Sequence, residues 1–283
     1  MTVFQLLKLC ETELEKAGKD TASSESKLIL QRILGFDSTQ LVMNKDKSVS
    51  DLTVSEVMGI IEKRIESIPL QYIFGEWDFY GETFKVGKGV LIPRPETEEL
   101  CTEVIERLKK MKKPTVFDLC SGSGCIGITL KKQVPHADVY LFEFYDEALS
   151  YLNENRVFHS VERSVPAIKG DVLKGYERFA FLPKPDAIVS NPPYIEKHVL
   201  SSLQSEVQCE PMTALDGGED GLDFYRAFSE KWLPCVNDGG FIAVECGENQ
   251  AEKIAALFSK HSDDVTVLKD FNGIDRFVIA GKG

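Results

Sequence analysis

Apolar residues in the first part of the chain recur at helical spacing. One face of a first predicted helix carries Val3, Leu7, Cys10, Leu14 and Ala17. Gly18 follows as its expected C-terminal cap, and a second helix is predicted over residues 23–34. A third is predicted to begin at Thr53, whose spacing from Glu56 suits a capping box. Its expected buried stripe comprises Val54, Val57, Met58, Ile61, Ile65 and Ile68. Residues 1–70 are therefore predicted to form a small helical domain, which either supports the rest of the chain or docks a macromolecular partner.

The pattern changes to an aromatic-rich one after residue 70. Residues 71–81 and 82–86 predict two strands around a glycine turn, so residues 71–95 are interpreted as a hairpin linker. The next segment, residues 91–98, leads into a helix that is predicted to extend through Lys113.

Apolar runs typical of strands alternate with helical segments from Pro114 onward. The predicted strands lie near residues 115–120, 138–143, 165–169, 186–190, 240–246, 264–270 and 274–280. This alternation indicates an α/β domain over residues 96–283, with a mostly parallel sheet covered on both faces. Only residues 271–273 separate the last two strands, which is too short for a crossover helix. The last strand is therefore expected to run antiparallel.

Composition favours an ordinary globular protein. The chain has 283 residues, of which 43% are hydrophobic and 28% charged, and no apolar run reaches the length of a membrane span. The N-terminus lacks the basic and apolar regions of a signal peptide. The seven cysteines are scattered, odd in number and without a Cys-x-x-Cys pair, which argues against a disulfide framework or a zinc ribbon. We expect a cytoplasmic protein, monomeric and without a metal site.

The charge distribution bears on the choice of substrate. The net charge is −12, and residues 114–283 carry 16 basic and 26 acidic side chains. A protein that follows a phosphate backbone usually presents a basic patch. The densest cationic run, over residues 109–113, is more simply interpreted as the last turn of a helix. Nucleic acid is therefore disfavoured as a substrate.

A glycine-rich turn follows the first strand of the α/β domain. Gly122, Gly124 and Gly127 fit the pattern G-x-G-x-x-G, in which the backbone approaches a ligand and a helix N-terminus favours polar groups. A nicotinamide or flavin nucleotide is the rival interpretation. Asp118, four residues before Gly122, is placed to accept a hydrogen bond from an ammonium group, which a pyrophosphate does not have.

Two further acidic residues end the next two predicted strands. Glu143 is suited to bind both hydroxyls of a ribose. Asp171 is suited to accept from an adenine amino group, with Val172 against the ring. Each acid by itself is more simply explained as the N-cap of the next helix. The occurrence of three acids at successive strand ends beside one glycine turn favours a cofactor site.

Asn191-Pro192-Pro193-Tyr194 follows the fourth strand of this domain. The two prolines remove two backbone donors and stiffen the chain, the Asn side chain adds an acceptor, and the Tyr ring offers a flat face. Such a corner suits a planar –NH2 group, whose two hydrogens need two fixed acceptors. Taken alone, the tetrapeptide is also explained as a Pro-rich turn.

Together these motifs resemble the class I S-adenosylmethionine-dependent methyltransferases, and more narrowly the protein-(glutamine-N5) methyltransferases that modify peptide chain release factors. The resemblance runs almost from end to end. Besides the glycine turn, the acids and the Asn191 corner, it rests on residues 75–81, 91–98, 210–218, 220–226 and 245–250. Two departures are Cys120, where the family usually has glycine, and Phe144, an unusually apolar neighbour for a ribose.

The resemblance implies S-adenosyl-L-methionine as cofactor and a glutamine of release factors as acceptor. The cofactor-binding residues it implies are Asp118, Cys120, Ser121, Gly122, Ser123, Gly124, Glu143, Phe144, Asp171, Val172 and Asn191. The implied catalytic residues are Asn191, Pro192 and Tyr194, and the implied substrate-binding residues add Pro193, Arg94, Glu96 and Glu210.

Other functions compete with this interpretation. The alternative acceptors are a ribosomal-protein glutamine and, since adenine also presents a planar –NH2 group, the adenine N6 of a nucleic acid. A non-catalytic scaffold would be expected to lose the intact acceptor corner. A dehydrogenase would need an acid or base facing the nicotinamide, and the sequence offers no candidate.

Overall fold

The computed structural model describes residues Met1–Gly283 and divides them into two compact units. Residues Met1–Phe74 form a helical unit, and Gly75–Gly283 form a larger α/β unit. No helix has both the length and the apolar character that crossing a bilayer requires.

Five helices make up the helical unit. They are α1 (Val3–Lys16), α2 (Ala22–Leu34), α3 (Ser38–Met43), α4 (Asp51–Ile65) and α5 (Leu70–Phe74). Thr2 caps α1 through a capping box with Gln5, and Gly35 ends α2 in the left-handed conformation. The apolar faces of α1, α2 and α4 meet in one core. The short helix α3 has no counterpart in the sequence prediction.

The predicted start and buried stripe of α4 need correction. Its N-cap is Ser50, whose hydroxyl accepts from the Thr53 amide at 3.1 Å, so the helix begins before Thr53. Ile65 is exposed, and Arg64 is buried in its place. Arg64 occupies this face because its guanidinium makes a two-pronged ion pair with Glu25 on α2, at 2.7 and 2.8 Å.

The predicted strand over residues 71–81 is only half correct. The hairpin consists of β1 (Glu76–Phe79) and β2 (Glu82–Lys85), whereas Leu70–Phe74 is the helix α5. The Pro69 carbonyl accepts from the amides of Tyr72 and Ile73, which starts a helical turn there. Ile73 and Phe74 then pack on the helical core, so tertiary contacts override the β propensity of this segment.

Helix α6 (Pro95–Leu108) ends five residues before the predicted end at Lys113. Lys110 and Met111 donate to carbonyls only three residues back, which tightens the chain into turns. Pro114 disfavours helical geometry in the residue before it, so the helix cannot continue into β3. The run over residues 109–113 therefore follows the helix rather than forming its last turn.

A seven-stranded sheet forms the centre of the α/β unit. Its strands are β3 (Thr115–Leu119), β4 (Asp138–Glu143), β5 (Ala167–Lys169), β6 (Ala187–Ser190), β7 (Phe241–Glu245), β8 (Val265–Lys269) and β9 (Asp275–Gly281). The order is β5-β4-β3-β6-β7-β9-β8, and β9 runs antiparallel to both of its neighbours. The predicted fold class and the antiparallel last strand are confirmed.

Helices and apolar side chains cover both faces of this sheet. Alternate residues of each strand enter two separate cores, for example Val116 in one and Phe117 in the other. The helices between the strands are α7 (Cys125–Gln133), α8 (Asp146–Phe158), α9 (Asp223–Ala227) and α10 (Ala251–Phe258). The chain moves outward from β3 to β5 and then returns to β6 on the other side of β3. Such a reversal opens a crevice at the carboxyl ends of β3 and β6.

Candidate active site

A cavity of about 300 Å3 lies at this crevice, within the size range of small-molecule sites. Its wall comes from the ends of the central strands and from the segments before α6 and α9. Of the residues implied by the sequence, those that line it are Arg94, Cys120, Ser121, Gly122, Ser123, Glu143, Phe144, Asp171, Val172, Asn191 and Pro193. Asp118, Gly124, Pro192, Tyr194, Glu96 and Glu210 do not line it.

The glycine turn bends because three of its residues have left-handed backbone angles. The φ angles are +61° at Cys120, +54° at Gly122 and +82° at Gly124. Cβ atoms disfavour this region, so the glycines are required by the backbone itself. Cys120 adopts the same geometry with a side chain, which gives a physical reason for the glycine that the resemblance leads us to expect at this position.

Asp118 lies behind the glycine turn rather than in the cavity. Its side chain is fully buried, one carboxylate oxygen accepts from the Gly127 amide at 3.0 Å, and the other has no hydrogen-bond partner. Burial raises the pKa of Asp118 to about 7. The carboxylate thus ties the first turn of α7 to β3, and any effect on a ligand acts through the turn.

Glu143 lies at the end of β4 in the cavity wall. Its Oε2 accepts from the Gly122 amide at 2.9 Å, and its Oε1 accepts from the amides of Phe144 and Tyr145 at 2.8 and 3.0 Å. Burial raises its pKa. A carboxylate has about four lone-pair positions, so three are occupied by the backbone and one remains for a ligand hydroxyl.

Asp171 combines the two interpretations that the sequence left open. Its Oδ1 accepts from the Leu173 amide at 2.9 Å, as an N-cap does, and the residue also lines the cavity. Val172 is buried against the same cavity, and its carbonyl accepts from the Trp232 indole at 2.8 Å. The capping bond therefore holds Asp171 in place at the cavity wall.

Asn191 follows the last residue of β6 and has one unsatisfied side-chain atom. Its Nδ2 donates to the Thr97 hydroxyl at 3.1 Å, whereas its Oδ1 is buried without a hydrogen-bond partner. Burying an amide oxygen without a partner costs free energy, about 1–3 kcal/mol. Such an orphaned acceptor in the wall of a cavity is suited to a ligand donor.

The two prolines and Tyr194 hold this corner in different ways. Pro193 lines the cavity and Pro192 is buried behind it. Tyr194 packs on the core of the sheet, where burial raises its pKa, and its carbonyl accepts from Gln250 at 2.9 Å. Gln250 also accepts from the Gly247 amide at 2.9 Å and so joins the corner to the end of β7.

Arg94 and Glu210 form an ion pair that joins two segments of the cavity wall. The Glu210 carboxylate accepts from Arg94 and, at 3.0 Å, from the Ile92 amide. Glu210 is buried and Arg94 is half-buried. Glu96 lies instead in a second groove, beside Tyr80 and Phe271.

Three polar residues of this site were not identified individually from the sequence. Thr97, Glu245 and Gln250 lie within stretches that carry the resemblance, yet only their hydrogen bonds give them a role. Thr97 lies in the first turn of α6, where a Thr side chain usually makes a hydrogen bond to a neighbouring backbone group. The signal that distinguishes it is a contact across 94 residues, which spacing cannot reveal.

The sheet order and the cavity at its reversal point define the class I methyltransferase fold. A solved methyltransferase from Pyrococcus furiosus has the same fold, with a TM-score of 0.52 at 17% identity, covering 81% of this chain and 99% of the other. Family models match two parts of the chain. The PrmC N-terminal domain matches residues 5–75, and the methyltransferase small domain matches residues 100–216.

Relatives match nearly the whole chain. Release factor glutamine methyltransferase of Thermodesulfovibrio yellowstonii is 36% identical over 263 residues, which cover 91% of this chain and 92% of the relative. The Clostridium botulinum protein of the same name is 34% identical over 275 residues, covering 95% of both. The chain belongs to the release factor glutamine methyltransferase family.

Proposed function

We propose that this protein transfers a methyl group from S-adenosylmethionine to the side-chain amide nitrogen (N5) of a glutamine, with the Gly-Gly-Gln glutamine of peptide chain release factors as the acceptor. The proposal rests mainly on one observation: Asn191 lines the cavity, and its Oδ1 is a buried acceptor that has no hydrogen-bond partner. The names of the relatives support the choice of a release factor.

The cavity residues fit the proposed cofactor. An added Cβ at Gly122 would meet only Val90, at 3.8 Å, so the turn leaves its backbone open to a ligand. The remaining lone pair of Glu143 suits a ribose hydroxyl, while Asp171 and Val172 suit the polar edge and the face of an adenine. When bound, S-adenosylmethionine supplies an electrophilic methyl group on a sulfonium.

The protein's own contribution is to position the acceptor amide. An amide nitrogen is a poor nucleophile because its lone pair is delocalised into the carbonyl. We assign one hydrogen of this –NH2 group to the Asn191 Oδ1, which would hold the nitrogen and favour build-up of charge on it. The sequence predicts the Pro192 carbonyl as the second acceptor, whereas Pro192 itself does not line the cavity. Tyr194 contributes through the Gln250 bond that fixes the corner. No base is needed before transfer, because the proton leaves the nitrogen afterwards.

Arg94 and Glu210 are proposed to shape the pocket for the glutamine. Their ion pair holds the segment before α6 against residues 211–214, which form part of the cavity wall. Glu96 lies outside this cavity, so its proposed role is limited to the surface that a bound protein would meet.

The chosen acceptor is tested against its alternatives in one experiment. The purified protein is incubated with methyl-labelled S-adenosylmethionine and, separately, with release factors, ribosomal proteins and DNA. We expect label on the Gly-Gly-Gln glutamine of a release factor, located by tandem mass spectrometry. Label only on a ribosomal protein or on adenine would contradict the proposal; the acidic balance of residues 114–283 argues against adenine.

A further inference from the structure

A buried chain of hydrogen bonds links Asn191 to a carboxylate outside the cavity. The Asn191 Nδ2 donates to the Thr97 hydroxyl at 3.1 Å, and that hydroxyl donates to Glu245 Oε2 at 2.6 Å. Thr97 and Glu245 are each 2% exposed, so the hydrogen bond between them is shielded from water. The chain connects β6, the first turn of α6 and the end of β7.

The charge of Glu245 decides the direction of these bonds. An ionised carboxylate only accepts, so the single hydroxyl hydrogen of Thr97 must point to Glu245. The Thr97 oxygen can then only accept from Asn191. Asn191 must therefore turn its –NH2 group to Thr97, which leaves its carbonyl oxygen as the unpartnered atom.

We propose that Thr97 and Glu245 are positioning residues. They orient the Asn191 side-chain amide so that its oxygen, rather than its –NH2 group, faces the acceptor glutamine. The chemical role of this selection rests on the proposed function, whereas the selection itself is a property of the free protein. When Glu245 is protonated, it can donate to Thr97, and Thr97 can then donate to the Asn191 oxygen. The direction of both hydrogen bonds would then be reversed. The Asn191 oxygen would accept from Thr97 and would no longer be free to accept from the glutamine amide.

The surroundings of Glu245 place this reversal of the hydrogen bonds near neutral pH. Burial raises the pKa of Glu245 to about 7, against the opposing effects of the Thr97 hydrogen bond and the Arg276 guanidinium. Because the pKa is raised, Glu245 is ionised above about pH 7 and protonated below it. The other titratable groups near it are Arg94, Glu96, Cys101, Cys125, Tyr194, Tyr225 and Cys246.

A spectroscopic test needs no substrate and is therefore independent of the proposed function. In protein with 15N-labelled asparagine, the side-chain signal that disappears in Asn191→Ala identifies Asn191. We expect this signal to shift with a midpoint near pH 7 in the wild type and to lose that step in Glu245→Gln. An Asn191 signal that does not titrate, or that titrates equally in Glu245→Gln, would overturn the proposal.

A kinetic test measures methyl transfer to a release factor. Thr97→Val keeps the shape of the side chain but removes the hydroxyl, so we expect kcat to fall about tenfold with unchanged affinity for S-adenosylmethionine. Thr97→Ser should restore most of kcat. Thr266→Val at an exposed position of β8, outside both grooves, is the control, with wild-type kcat expected.

The pH profile separates positioning from a merely structural role. In the wild type kcat should decline below about pH 7, and Glu245→Gln should lack this decline. Wild-type kcat in Thr97→Val, or an unchanged profile in Glu245→Gln, would overturn the positioning role. If the wild-type protein methylated no release factor, the proposed function would be refuted. The spectroscopic test would still decide whether Glu245 and Thr97 set the orientation of the Asn191 amide.

Discussion

At the scale of single residues, Cys120 has a strained backbone in the glycine turn that lines the cavity. Its φ is +61°, between the end of β3 and the two glycines of the turn. The sequence marks Cys120 only as a departure from the glycine that is usual in the family. The structure adds that a side chain at this position opposes the left-handed conformation, at a cost of about 1–2 kcal/mol.

Replacing Cys120 by glycine should therefore stabilise the α/β unit. We expect Cys120→Gly to raise the free energy of unfolding by about 1 kcal/mol, net of the greater freedom of glycine in the unfolded chain. Both tryptophans, Trp77 and Trp232, lie in this unit, so fluorescence in a denaturant titration follows its unfolding. Cys235→Gly, where φ is not positive, is the control and should destabilise. A destabilised Cys120→Gly would show that the side chain outweighs the strain.

Residue positions were predictable where they follow from strand ends. Glu143, Asp171 and Asn191 were expected at one edge of the sheet, and all three line the cavity. Asp118 and Tyr194 were predicted as ligand contacts, yet the structure places them outside the cavity wall. The pattern of apolar residues in the sequence indicates where a strand ends. The direction and burial of its side chains depend on contacts with segments distant in the sequence.

At the scale of elements, Gly127 allows α7 to pack closely on the sheet. An added Cβ would lie 2.1 Å from a methyl group of Leu141 on β4 and 3.0 Å from the Asp118 carboxylate. The third glycine of the pattern is thus explained by the contact between helix and strand rather than by the ligand.

Two glycine substitutions within helices should have opposite effects. We expect Gly127→Ala to lower the stability of the α/β unit by about 1–3 kcal/mol, because Leu141 is fully buried and cannot yield easily. Gly59→Ala in α4 meets nothing within 4 Å and should raise the stability of the helical unit by about 0.5–1 kcal/mol. Denaturation followed by fluorescence for the first and by helical circular dichroism for the second checks both signs. Stability changes of the same sign in the two variants would contradict the packing explanation.

The type of most elements followed from periodicity, whereas the ends of α4 and α6 depended on a side-chain cap and on turns before a proline. All seven strands of the large sheet were predicted within a few residues of their observed bounds. The type was predicted wrongly in one segment. Helix α5 forms where aromatic residues had indicated a strand, because its apolar side chains pack on the helical core.

At the scale of the whole molecule, every residue that lines the cavity belongs to the α/β unit. The helical unit contributes none of them, and it exposes several large apolar side chains. Val42, Met43 and Leu52 are 70%, 78% and 83% exposed. We propose that this unit docks the release factor, which is the second of the two roles that the sequence left open.

A double substitution on this unit distinguishes docking from simple support. Met43→Ser with Leu52→Ser should raise KM for an intact release factor about tenfold, because apolar contact area is lost. The same variant should methylate a short Gly-Gly-Gln peptide as the wild type does, since every residue that lines the cavity belongs to the α/β unit. Equal KM values for the intact factor would refute docking through these side chains.

The central claim is that the Asn191 oxygen holds the acceptor amide, and kcat of Asn191→Ala for a release factor tests it most directly. We expect kcat to fall about a hundredfold, while calorimetry shows that S-adenosylmethionine affinity falls only in part. Asn153→Ala, on the exposed face of α8, is the control and should keep wild-type kcat. An Asn191→Ala protein with unchanged kcat would contradict the account.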